Sequence, residues 1–175
     1  MLSINLPMIG GGGDVIPTMN VIPPSKPPGI LVVEDQAAVL ELLDVTLRQY
    51  GFDVKLAATV EAAVELYQQH YPSIDLVLVD VQMDGLDGPG TLAAFQKINP
   101  KVRCCFMSGH TGKYAAEELR AMGAVLVISK PFSSMDLLAR SLWDMARGDK
   151  AGVIERNRGL LQGGLGVEEH RADSI

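Results

Sequence analysis

Three stretches of this chain are apolar throughout, and each runs into charge. Ile30-Leu31-Val32-Val33 precedes Glu34-Asp35, Leu76-Val77-Leu78-Val79 precedes Asp80, and Val125-Leu126-Val127-Ile128 precedes Ser129-Lys130. A strand with one wet face alternates apolar and polar residues. These runs do not alternate, so they fit a sheet covered on both sides, as helical crossovers between parallel strands produce. Helical patterns do separate them. Gln36–Tyr50 places Leu40, Leu43 and Leu47 on one face and is closed by Gly51. Thr59 caps a second helix reaching about Tyr71, a third ends near Asn99-Pro100, a fourth spans Thr111–Met122 before Gly123, and a fifth spans Ser133–Arg147. The predicted strands are Ile30–Glu34, Phe52–Ala57, Ile74–Asp80, Val102–Met107 and Val125–Ser129. Five strand–helix units predict an α/β fold with a doubly wound, five-stranded parallel sheet.

A chain of 175 residues supports one ordinary domain. The pattern places that domain at residues 29–147. Before it, residues 1–28 are rich in Gly and Pro and read as a flexible arm; 148–175 read as a flexible tail with room for a short helix. Gly10 to Gly13 lack the Lys-Ser/Thr and the preceding strand of a phosphate loop. The formal charge of −6, without a basic block, argues against direct contact with nucleic acid. The N-terminal stretch, broken by Pro7 and Gly10 to Gly13 and without a basic n-region, does not read as a signal peptide, and no apolar run reaches membrane length. Cys104 and Cys105 are adjacent, so on a strand they point to opposite faces and cannot easily pair. They read as small core residues of a reducing, cytoplasmic compartment.

Glu34-Asp35, Asp80, Ser108-Gly109 and Lys130-Pro131 all fall at the C-terminal ends of predicted strands, the edge where open parallel sheets bind ligands. Clustered carboxylates there call for a cation, and the ammonium calls for an anion. In this order, over about residues 29–147, these motifs resemble a response-regulator receiver domain. The resemblance implies a flavodoxin-like sheet in the order 2-1-3-4-5. It implies Mg2+ held by Glu34, Asp35, Asp80 and the backbone carbonyl of Gln82. Asp80 would accept a phosphoryl group from a histidine kinase or a histidine phosphotransfer protein, with Lys130 and Ser108 assisting. Ser108, Gly109 and Lys130 would hold the phosphoryl oxygens.

No effector pattern follows in the sequence, so the expectation is a stand-alone receiver, monomeric or weakly dimeric, signalling to an unknown downstream protein. Its chemistry would be self-phosphotransfer and self-dephosphorylation rather than substrate turnover. The alternative is a phosphorylation-independent interaction module on the same fold. A phosphatase of the haloacid-dehalogenase type would need a second Asp where Gln82 stands. A flavodoxin-like cofactor site would be repelled by Glu34-Asp35.

Five departures or ambiguities accompany the resemblance. Met83-Asp84 replaces the common Met-Pro after the acceptor, and Val127 stands where an aromatic is usual. Signalling is therefore expected through the loop and helix after Ser108. Gln82 and His110 flank the expected path of a hydrolytic water. Lys130-Pro131 suits a cis peptide, as in the family, or an ordinary trans one. Finally, Trp143 lies roughly opposite Leu138 on the last helix, an outward position that suggests a partner, a second copy or a tail as cover.

Overall fold

The computed structural model describes residues 26–83, 87–109 and 114–148. Expectations concerning Asp84, Gly85, His110, residues 111–113 and most of both tails lie outside these. Five strands, β1 (Gly29–Val33), β2 (Asp53–Ala57), β3 (Leu76–Asp80), β4 (Cys104–Ser108) and β5 (Ala124–Ser129), form one parallel sheet in the order 2-1-3-4-5. Five helices connect and cover them: α1 (Ala37–Gln49), α2 (Val60–His70), α3 (Gly88–Ile98), α4 (Ala116–Ala121) and α5 (Met135–Arg147).

The unbroken apolar strands work as the pattern requires. Ile30, Val32, Leu76, Leu78 and Cys105 face α1 and α5, meeting Leu43, Leu47, Leu138 and Leu142. Leu31, Val33, Val77, Val79 and Cys104 face the other way, meeting Tyr67 of α2, Leu92 and Phe95 of α3 and Leu119 of α4. The two cysteines are thus free, buried and on opposite sides. Burial raises the pKa of both thiols, which makes them inert core residues.

The helix ends follow local chemistry. Thr59 caps α2 by accepting from the Ala62 N–H at 3.2 Å. At α5 the cap is Ser134, one residue later than the sequence pattern suggested, accepting from Leu137 N–H at 3.2 Å. Arg103 closes the other end of α5, donating to the Ala146 carbonyl at 2.6 Å. Helix α4 begins at Ala116, later than the pattern suggested, where Glu118 folds back to accept from the Ala115 N–H at 2.7 Å.

Trp143 is also placed differently from the helical-wheel reading. It is half-buried, edge-on to Phe52 at 5.1 Å between ring centroids, and Gly51 lies against it. The turn between α1 and β2 therefore covers the ring; a wheel drawn on one helix does not contain that neighbour.

Strand β1 starts against a tight backbone contact. A Cβ on Gly29 would lie 1.8 Å from the Ser73 carbonyl oxygen, while the Gly29 N–H donates to Asp75 at 2.8 Å. Gly29→Ala should lower unfolding free energy by about 1–3 kcal/mol, the usual cost of overpacking. Urea titration of the variant checks this, and an unchanged midpoint would mean the strand start can move freely.

Candidate functional site

The order 2-1-3-4-5 reverses direction between β1 and β3, and this opens a crevice at the carboxyl ends of those two strands. Glu34 follows β1, with its N–H bound to the Ala57 carbonyl at 3.1 Å. Asp80 ends β3. Both are buried, at 0% and 3% exposure. Lys130 follows β5, and its N–H donates to the Ser108 carbonyl at 2.8 Å. Its ammonium reaches across β4 to Glu34 at 2.6 Å and Asp80 at 2.7 Å. The Lys130-Pro131 peptide is cis.

Backbone donors complete the carboxylate shells. Gln82 N–H donates to Asp80 Oδ1 at 3.1 Å, and Gln36 N–H donates to Glu34 Oε1 at 3.2 Å. Asp35 is exposed beside them, and one oxygen from each of Glu34, Asp35 and Asp80 lies within 4.8 Å of the others. Such a set of hard oxygen donors fits a divalent cation of the Mg2+ type, which takes a few carboxylates and keeps waters. Ser108 is half-buried at the end of β4, and its hydroxyl donates to the Gly109 carbonyl at 3.3 Å. The Gln82 amide oxygen is 3.4 Å from where a Cβ on Gly109 would stand. Every expected site residue, namely Glu34, Asp35, Asp80, Gln82, Ser108, Gly109 and Lys130, therefore lies at this one edge.

The electrostatics carry opposing effects. Burial raises the Glu34 pKa, and the Lys130 ammonium only partly offsets it. Burial pulls Lys130 down, but its hydrogen bonds to Asp80 and Glu34 outweigh this and leave its pKa raised.

Two neighbouring residues escaped the sequence reading. Asp87 caps α3, accepting from the Gly90 N–H at 3.1 Å, and the Tyr114 hydroxyl donates to its other oxygen. The Asp87-Gly88-Pro89 run does carry a helix-start signal; Tyr114 carries none, since its partner is distant in sequence. Val127 is half-buried on β5, in register with Phe106 and packed against the α2–α3–α4 side.

Residues 30–141 match the family described as the response regulator receiver domain, and the chain belongs to it. It is 34% identical over 149 residues to a probable transcriptional regulator, ycf27, of Porphyridium aerugineum, covering 81% of this chain and 60% of that protein. The chain thus spans about 60% of that relative's length. A receiver domain structure from Clostridium thermocellum superposes with a TM-score of 0.62 at 25% identity, over 76% of this chain and 98% of the other. A Borrelia burgdorferi CheX–CheY–BeF3–Mg2+ complex matches with a TM-score of 0.58 at 26% identity, over 78% and 90%. The protein is a receiver domain of two-component signalling.

The raised Glu34 pKa gives a pH signature. Between its ordinary value of 4.5 and the raised one, the folded chain holds a proton that the unfolded chain has released. Glu34 therefore favours folding below pH 4.5, and that contribution is lost as pH rises through the raised value. In metal-free buffer, Glu34→Gln should gain stability relative to wild type across this rise. Urea unfolding of both proteins at a series of pH values checks it; a difference that is flat with pH would exclude a raised Glu34.

Proposed function

We propose that this receiver domain accepts a phosphoryl group from phosphohistidine onto Asp80. The observation that carries this reading is the placement of Asp80, buried at the switch point, with Lys130 at 2.7 Å and two further carboxylates beside it. A carboxylate oxygen of Asp80 attacks phosphorus in line; the P–N bond to the donor imidazole breaks, and its electron pair leaves with that nitrogen. Such a transfer asks the protein mainly for positioning and charge neutralisation.

Glu34, Asp35, Asp80 and the Gln82 carbonyl would hold Mg2+, which supplies neutralisation of the incoming phosphoryl charge. The Borrelia burgdorferi complex, which contains BeF3 and Mg2+, supports that assignment by likeness. Lys130 serves as a point charge for one phosphoryl oxygen, releasing Asp80 to the reaction. Ser108 turns its hydroxyl to a second oxygen, and Gly109 leaves room for the group.

The chain is then a signalling phosphoacceptor with self-phosphotransfer and self-dephosphorylation, not a turnover enzyme. Its donor is a histidine kinase or phosphotransfer protein, and its output goes to a protein partner. Among the described residues no helix is long and apolar enough to cross a membrane, in keeping with a cytoplasmic role.

Acetyl phosphate with Mg2+ should add one phosphoryl mass to wild type and none to Asp80→Asn, read by intact mass. Labelling that survives in Asp80→Asn would overturn the assignment. An unlabelled wild type would favour a phosphorylation-independent interaction module. Asp35→Ala should weaken Mg2+ binding and stabilise the metal-free fold by removing like charge, both read from melts with and without Mg2+. Unchanged metal affinity would place the cation elsewhere.

A further inference from the structure

Lys130 carries its ammonium past β4 to Glu34 and Asp80. A long, flexible stem places its charge reproducibly only where its backbone is held. On one side of Lys130, its own N–H is bound to the Ser108 carbonyl at 2.8 Å. On the other side, only residues 131–134 separate it from α5. Pro131 has its φ fixed by the ring. Phe132 packs against the core cluster between the sheet, α1 and α5, and Ser134 caps α5. Little slack therefore separates Lys130 from the first turn of α5.

That first turn is tied to the end of α1. The Tyr50 hydroxyl donates to Asp136, the second residue of α5. Arg140, one turn further along, donates to both oxygens of the same carboxylate at 3.1 and 2.9 Å and so orients it. An exposed pair such as Arg140–Asp136 contributes little by itself. Tyr50 makes the tie, because its half-buried ring is packed on the core cluster and loses little freedom in reaching Asp136. Further down α5, Trp143 is edge-on to Phe52. The α1–α5 seam is thus closed at two points, and the Tyr50–Asp136 point adjoins the Lys130 connection.

We propose that Tyr50 is a positioning residue for Lys130 in phosphoryl acceptance, acting through Asp136 in the first turn of α5. This rests on the reading of Lys130 as the phosphoryl group's partner. Holding that turn against α1 narrows the places from which the Lys130 stem can start, so its charge meets the incoming group already aligned. The coupling is reciprocal. When Lys130 turns from Glu34 and Asp80 to a phosphoryl oxygen, the change reaches the seam and the environment of Trp143, the chain's single tryptophan.

Full-length protein with Mg2+ and beryllofluoride provides the test. In wild type, Trp143 fluorescence should change when beryllofluoride is added to the Mg2+-loaded protein, and Lys130→Ala should lose that change. Tyr50→Phe keeps the ring and removes only the donor. It should keep its melting temperature and its Mg2+ affinity, yet lose the fluorescence response. Its labelling by acetyl phosphate and its beryllofluoride affinity should each fall about two- to tenfold, the range one hydrogen bond supports. Asp136→Ala should reproduce these losses, and Asp136→Asn, which retains an acceptor oxygen, should stay near wild type. Tyr50→Phe with wild-type rate, affinity and response would overturn the proposal while leaving Asp80 as acceptor. So would an equal loss of Mg2+ and beryllofluoride binding, because that would mark a general loosening of the sheet edge. A wild type that neither binds beryllofluoride nor becomes labelled would overturn the acceptor reading and the role of Tyr50 with it.

Discussion

Glu34 and Asp80 are buried side by side at the end of an apolar sheet, and Lys130 is what makes this tolerable. Taking a carboxylate out of water costs several kcal/mol even after relaxation. Placing a second one beside it adds repulsion. Lys130 meets both at 2.6 and 2.7 Å, while the Gln36 and Gln82 N–H groups supply one further donor to each. Removing the ammonium would leave buried charge without compensation, so the site depends on a residue delivered from the far edge of the sheet. The strand order makes this possible. β1 and β3 are neighbours, and only β4 separates them from β5, a gap that a lysine side chain can span.

In the structure Lys130 is shared between Glu34 and Asp80. Under the proposed function both carboxylates would turn to a divalent cation and Lys130 to a phosphoryl oxygen, so the same few atoms would serve two charge arrangements. The apolar sheet beneath them is filled from both faces.

The contrast between Lys130 and Tyr114 shows what kind of information lies in a sequence of this type. Lys130 ends an apolar run, so its position at the ligand edge follows from strand direction alone. Tyr114 stands two residues before α4, and nothing in its sequence neighbourhood points to Asp87. Trp143 gives a similar lesson: a wheel drawn on α5 alone turned it outward, because the Phe52 ring that covers it lies on another element. Helix α4 starts later than its pattern suggested for a local reason, the Glu118 fold-back onto the Ala115 N–H.

By itself the sequence determined the five-stranded architecture, the burial of both cysteines on opposite faces, and the edge at which Glu34, Asp35, Asp80, Ser108 and Lys130 gather. These follow from short-range rules: apolar runs name strands, caps and glycines end helices, and parallel winding sends every strand's end to one side. Tertiary structure alone decided that Lys130 bridges Glu34 and Asp80, that Glu34 is wholly buried, and that Asp87 and Tyr114 meet. Each of those depends on distances between side chains from different elements. Such distances are set by how the sheet twists and the helices pack, which no pattern along one segment encodes.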